Sequence, residues 1–254
     1  GVFPKELLPI NGKPAIEYII EECISAGIKE IIFIISKKKK LINKYFYNDS
    51  FYKKTIKEKK DKRILIEYNK ILKFRKKIKF VYQNKPLGTG NAVLKTKKLI
   101  KDKYFLMLLP DDLIINNNVS KDMIKIHKKK NSCVMASMKV NKKNVSRWGI
   151  YSVKSKLDKN NFIINGVVEK PDIKSAPSNN AVIGRYILPK KIFKILKYQK
   201  KGKGGEVHIT DSIKTLINQG NLFIGHNFKG KYLDCGTMKG YINSGLEISK
   251  LWSF

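Results

Sequence analysis

Arginine is scarce here for so basic a chain. Only Arg63, Arg75, Arg147 and Arg185 stand among 54 basic residues, against 20 acidic ones and a net charge of +34. Recognition of phosphates and bases recruits arginine, whose planar fork bonds bidentately. A charge carried almost wholly by lysine, beside plentiful Ile and Asn, reads instead as drift toward AT-rich codons. Nucleic-acid binding is therefore not expected, although the field can still draw in anionic substrates. Cysteine is also rare. Cys23, Cys133 and Cys235 are far apart and lack metal-ligand spacing, as suits reduced thiols in a cytoplasmic protein. No apolar run is long enough to span a bilayer, so no membrane partner is expected. His127, His208 and His226 have no H-E-x-x-H or Ser/His/Asp context, which leaves zinc chemistry and nucleophilic hydrolysis without support. Neither a G-x-G-x-x-G nor a Walker loop is intact. There is no internal repeat and no linker, and 254 residues suit one α/β domain spanning 1–254.

Helical and strand patterns alternate along the chain. The segment before Pro14 reads as a loop, and Pro14 suits the first turn of a helix. A helix follows to about Ala26 with Ile16, Ile19, Ile20 and Cys23 on one face, and Gly27 caps it. Short apolar strands are expected at Glu30–Ser36, Ile78–Tyr82, Tyr104–Leu109, Ser132–Val140, Trp148–Val153, Phe162–Glu169, Ala181–Leu188, Leu222–Gly225 and just before Asp234. Helices are expected over most of Lys37–Leu72, then at Gly90–Leu99, Val119–Lys130, Pro189–Leu196, Ile209–Asn218 and from Met238. The run Phe105-Leu-Met-Leu-Leu reads as a strand buried on both faces.

Ligands of open α/β sheets bind just beyond the carboxyl ends of strands. Four such ends carry chemistry. Asp111 and Asp112 follow Pro110, and Asp234 precedes Cys235-Gly. Asp111 and Asp234 could converge on one hard cation, or each could merely cap a turn. Gln83, followed by Pro86-Leu-Gly-Thr-Gly, offers an amide beside a loop whose Gly88 and Gly90 let the backbone approach a flat or charged ligand. Glu169-Lys170-Pro171 sets an acceptor beside an ammonium, suited to sugar hydroxyls and a phosphate, or only to a surface ion pair. Lys5 has the same ambiguity. Gly184, inside a strand, marks close approach of a ligand or another backbone.

Together these segments resemble the bacterial UTP–glucose-1-phosphate uridylyltransferases. The resemblance runs through Phe3-Pro-Lys-Glu-Leu-Leu-Pro, Gln83-Asn-Lys-Pro-Leu-Gly-Thr-Gly-Asn-Ala-Val, Leu108-Leu-Pro-Asp-Asp-Leu-Ile, Val168-Glu-Lys-Pro, Ala176-Pro-Ser-Asn-Asn-Ala-Val-Ile-Gly-Arg-Tyr, Gly204-Gly-Glu-Val-His-Ile-Thr-Asp and Tyr232-Leu-Asp-Cys-Gly. It implies a three-layer, Rossmann-like mixed-sheet nucleotidyltransferase fold. It also implies the conversion of UTP and glucose 1-phosphate to UDP-glucose and pyrophosphate. In that reading Asp111 and Asp234 hold Mg²⁺, and Gln83 and Gly88 read the uracil. Lys5 contacts the triphosphate and Lys170 the sugar phosphate. Glu169 accepts from glucose hydroxyls, with Gly149 and Val182 beside it. The family tends to form dimers or tetramers. It begins with a strand and a G-x-G-T-R loop that lie before the Pro-Lys-Glu match, where this sequence has not yet started. The chain is thus expected to be incomplete at its N-terminus, to bind UTP poorly alone and to fold marginally. The competing expectations are a relative using dTTP or CTP, and a non-catalytic remnant.

Overall fold

The computed structural model describes residues 3–251; Gly1 and Val2 of the opening loop lie outside them. The first half holds β1 (Pro9–Ile10), β2 (Lys13–Pro14), α1 (Ala15–Ser25), β3 (Ile31–Ile35), α2 (Lys40–Tyr47), α3 (Ser50–Lys59), α4 (Lys62–Arg75), β4 (Ile78–Tyr82), α5 (Thr89–Lys95), β5 (Tyr104–Leu108), β6 (Asp112–Ile115) and α6 (Val119–Lys130). The second half holds β7 (Cys133–Lys139), β8 (Gly149–Lys156), β9 (Asn161–Glu169), β10 (Asn180–Pro189), α7 (Ile192–Tyr198), α8 (Ile209–Asn218), β11 (Phe223–Asn227), β12 (Lys231–Asp234) and α9 (Met238–Ser249).

The main sheet has six strands in the order β5-β10-β7-β11-β9-β8. It is mixed: β7 and β11 run parallel, whereas β10 is antiparallel to both β5 and β7. Alternation along β7 shows why helices cover both faces. Cys133 and Met135 pack with Val93, Phe193, Leu196, Ile213 and Leu216 of α5, α7 and α8. Val134 and Ala136 point the other way, onto Val119 and Met123 of α6. Each fully buried Val, Leu, Ile, Phe or Met among them contributes about 1.5–3 kcal/mol. A separate parallel pair, β3 with β4, is packed by α1, α2 and α4 through Ile16, Ile20, Ile42, Phe46, Ile71 and Phe74. Gly27, at φ +87°, ends the α1 segment as expected, its N–H bonding Ile24 O at 3.0 Å.

Four sequence expectations are corrected. The opening segment is no plain loop. Asn11 and Gly12, both at positive φ, turn β1 back on β2, the Asn-Gly signature of a tight hairpin. Pro14 precedes α1 rather than lying in its first turn. The helix expected at Gly90–Leu99 stops at Lys95. The strand expected to be buried on both faces, β5, is only half-buried, because it pairs with β10 alone among the described residues.

Candidate functional site

Lys5 lies in a single 3₁₀ turn, Lys5–Leu7, fixed by its neighbour. Glu6 is buried and pairs with Lys39 at 2.5 Å, so one of the four lysines at 37–40 is not merely solvated. That anchor points Lys5 at the turn between β5 and β6, where its Nζ lies 2.5 Å from Asp111 Oδ2. Burial opposes the Lys5 charge, but the hydrogen bond and charge of Asp111, helped by Glu6 and Asp234, hold its ammonium above the ordinary lysine range.

Asp234 ends β12 and faces the same point. A β-carbon placed on Gly236 would stand 3.1 Å from Asp111 Oδ2 and 3.1 Å from Asp234 Oδ1. Glycine there keeps the space between the carboxylates open. The two segments are also tied directly, Cys235 N donating to Asp111 O at 2.8 Å. Asp234 is a turn cap as well, since Oδ1 accepts from Gly236 N at 2.8 Å and Oδ2 from Thr237 Oγ1 at 3.3 Å. The turn-cap reading of this residue therefore holds. Among the described residues no group of three or more His, Cys, Asp or Glu is placed to hold a metal ion. Two carboxylates facing one gap fit a hard cation that takes its remaining ligands from substrate phosphates.

Asp112, the next residue, does something else. Its Oδ2 accepts from Gly184 N at 2.8 Å and its Oδ1 from Tyr232 Oη at 2.7 Å. Burial pushes its carboxyl up, and the charge of Asp111 adds to that, while the two donors act against it. Gly184 is explained here. A β-carbon on it would lie 2.5 Å from Asp112 Oδ2, so the close approach marked by this glycine is that of a carboxylate.

Beside this turn opens a cavity of about 210 Å³. Its lining includes Gly149, Glu169 and Val182, three residues singled out from the sequence, and Arg147, Trp148 and Thr210, which were not. Gly149 pairs with Glu169 across β8 and β9, which sets the Glu169 carboxylate over the glycine. Lys170 does not line the cavity. It sits just past β9 at φ +45°, its N–H bonding Trp148 O at 3.0 Å. A non-glycine residue in that region costs of order 1 kcal/mol or more, and such strain gathers at functional sites.

Gln83 and Gly88 meet each other directly. Gln83 Nε2 donates to Gly88 O and to Asn91 Oδ1, both at 3.1 Å. The loop is held from its other side by Val207, through Val207 N to Leu87 O at 2.9 Å and Gly90 N to Val207 O at 2.8 Å. Ile209 N reaches Thr89 Oγ1 at 3.3 Å. The next residue, Thr210, lines the cavity, so the Gly88 loop and the cavity share the start of α8. Thiol chemistry stays unsupported: all three cysteines are buried and free, and burial pushes Cys23 and Cys133 up to about 12.

A mixed α/β fold with a glycine loop after β4, a carboxylate after β5 and another at the end of β12, and a lysine on the first of these carboxylates defines a nucleotide-handling enzyme class. The nucleotidyl transferase family model matches residues 2–250. The chain is 36% identical over 248 residues to UTP–glucose-1-phosphate uridylyltransferase 2 of Streptococcus pyogenes, covering 96% of this chain and 82% of that protein. It superposes on a UTP-bound UGPase from Acinetobacter baumannii with a TM-score of 0.89 at 30% identity, over 99% of this chain and 87% of the other. A UDP-glucose pyrophosphorylase complexed with UDP-glucose matches with a TM-score of 0.84 at 33% identity, over 98% of this chain and 91% of that one. The chain belongs to the nucleotidyl transferase family and, within it, to the UTP–glucose-1-phosphate uridylyltransferases. Among the described residues no helix is long and apolar enough to cross a membrane.

Proposed function

We propose that this chain forms UDP-glucose and pyrophosphate from UTP and glucose 1-phosphate. The observation that carries the reading is the convergence of Lys5, Asp111 and Asp234 on one gap beside the cavity lined by Gly149, Glu169 and Val182. A phosphate oxygen of glucose 1-phosphate attacks the α-phosphorus of UTP. The new P–O bond forms as the bond to the bridging oxygen breaks, and pyrophosphate leaves with that electron pair. The reaction needs positioning and charge neutralisation rather than a covalent enzyme intermediate. Asp111 and Asp234 would hold Mg²⁺, which supplies charge neutralisation at the triphosphate. Lys5 adds a positive charge at the same place. Glu169 accepts from sugar hydroxyls, and Lys170 meets the sugar phosphate. Arg147, also on the cavity wall, joins it. Among the described residues it makes no ion pair, and a guanidinium suits a phosphate's geometry.

Gln83 bears on the choice of base. Both hydrogens of its amide nitrogen are used inside the loop, which leaves Oε1 to face a ligand as an acceptor. Uracil and thymine offer an N–H at position 3 to such an acceptor, whereas cytosine offers a lone pair there. This favours UTP or dTTP over CTP, and the family membership favours UTP. Homo-oligomerisation as a dimer or tetramer and a cytoplasmic location belong to the same proposal and rest on the resemblance to the family.

The test is pyrophosphate release by the protein with Mg²⁺, with UTP, dTTP and CTP in turn, with and without glucose 1-phosphate. Release that requires both UTP and glucose 1-phosphate is expected. Equal release without the sugar phosphate, or none at all from folded protein, refutes the proposal.

A further inference from the structure

One arginine in this chain is fully buried. Arg185, on β10, has no exposed side-chain surface, and its partner Glu22, on α1, is nearly as buried. Its Nη2 lies 2.9 Å from Glu22 Oε2, and its Nε is 3.1 Å from Oε1. The rest of the fork grips backbone. Nη1 donates to Leu109 O at 3.2 Å and Gly184 O at 3.0 Å, and Nη2 donates to Asp112 O at 2.6 Å. Leu109 and Asp112 bracket Pro110 and Asp111. The carbonyl between them, Asp111 O, is held by Cys235 N. One planar cation therefore fixes both ends of the turn that presents Asp111, while Glu22, also bonded by Ser120, fixes the cation.

We infer that the Arg185–Glu22 pair is a positioning device that sets Asp111 against Asp234 for the divalent cation. The inference rests on the proposed function and deepens it. A buried ion pair is a poor source of stability, because apolar side chains of similar volume usually do as well. Holding three carbonyls in fixed places at once is what only a guanidinium does, since an ammonium is a point charge on a flexible stem. Residues behind a metal ligand commonly govern affinity about ten- to a hundredfold.

The experiment replaces the network in two ways. In one variant Glu22→Leu, Ser120→Ala and Arg185→Met are combined, which removes both charges of the pair and the hydroxyl bonded to it. In the other Arg185→Lys keeps the charge and loses the fork. Thermal melting reports folding, and Mn²⁺ binding in the presence of UTP is read by electron paramagnetic resonance. Steady-state kinetics give the Mg²⁺ concentration for half-maximal rate. Folded variants are expected to bind Mn²⁺ about tenfold or more weakly. They are expected to need correspondingly more Mg²⁺, and to keep the wild-type KM for glucose 1-phosphate at saturating Mg²⁺. Wild-type Mn²⁺ affinity in either folded variant overturns the inference while leaving the proposed function standing. Failure of both variants to fold makes the pair structural and overturns it too. A wild-type protein that neither binds Mn²⁺ with UTP nor makes UDP-glucose removes both proposals.

Discussion

Gly88 offers a sharp test of how the nucleotide loop is built. Its backbone sits at φ +93° and ψ 168°, a region open essentially to glycine alone. A β-carbon there would lie 2.6 Å from Val207 O, the same oxygen that accepts from Gly90 N. Gly88→Ala has two ways out. If the loop stays, backbone strain costs about 1–3 kcal/mol, with the contact added to it. If the loop detaches, the Leu87 and Gly90 bonds to Val207 are lost, at about 1 kcal/mol each. Either route costs about 2 kcal/mol, equivalent to roughly thirtyfold in an equilibrium constant. The first route lowers the free energy of unfolding. The second lowers it too, through the lost bonds, and also raises the KM for UTP, because binding must restore the loop. Urea unfolding and UTP saturation curves, measured together, find the cost wherever it falls. Gly12→Ala is the control: it shares a positive φ, but nothing lies within 4 Å of its β-carbon, so it loses some stability and leaves the KM for UTP alone. Unchanged stability together with unchanged UTP saturation in Gly88→Ala would refute the reasoning.

Three further outcomes are expected. Arg147→Ala raises the KM for glucose 1-phosphate about tenfold, the worth of a charged hydrogen bond, with UTP saturation unaffected. Initial rates at varied sugar phosphate check it. With Gln83 intact CTP is turned over more slowly than dTTP, and Gln83→Ala narrows that gap; competition assays read both. His226 on β11 is held below its usual value near 6.5 by burial, which outweighs the charges of Asp122 and Asp158. The unfolded chain therefore binds a proton there more readily than the folded one. The stability from a neutral His226 is complete above that usual value and is lost as pH falls through the lower folded one. Urea midpoints taken from pH 7.5 downward should show this acid-side loss, and His226→Gln should reduce it.

Much of the frame could be read from pattern alone. The bounds of α6 were fixed by an apolar stripe between Asn118 and Asn131, and those of α1 by the same stripe and Gly27. The meeting of Gln83 with Gly88 was also legible, because both lie within one short loop. Pairing between distant segments was not. β6 went unseen since Asp112-Leu-Ile-Ile becomes a strand only by lying against Lys231–Asp234. Asp112 looked like a twin of Asp111, yet the fold turns one outward to Lys5 and the other inward to Tyr232 and Gly184. Arg147 and Trp148 reach the cavity from the turn before β8 and Thr210 from α8, and no local spacing announces that they meet. The one available signal was scarcity: an arginine kept amid so many lysines invites the question of what its fork holds.

That question can be put to all four arginines. Lysine replaces arginine without loss where a point charge suffices and fails where the fork is used. Arg63 is exposed, its side-chain partners among the described residues all lie on Asp61, and Arg63→Lys should leave the unfolding midpoint where it was. Arg75 uses more of its shape. It bonds Asp49 through two nitrogens and Phe46 O through Nε at 2.7 Å, and it lies 5.2 Å over the Tyr47 ring. Arg75→Lys should lose the carbonyl bond and part of the ring contact, about 1–2 kcal/mol in all. Arg185 uses every nitrogen and is fully buried, so its lysine variant should show the largest change, and in cation affinity as well as stability. The series orders the positions by geometry alone, since the charge is the same throughout. If Arg63→Lys proved as damaging as Arg185→Lys, the fork would matter even where it meets a single exposed carboxylate, and the bonds each guanidinium makes would not rank the positions.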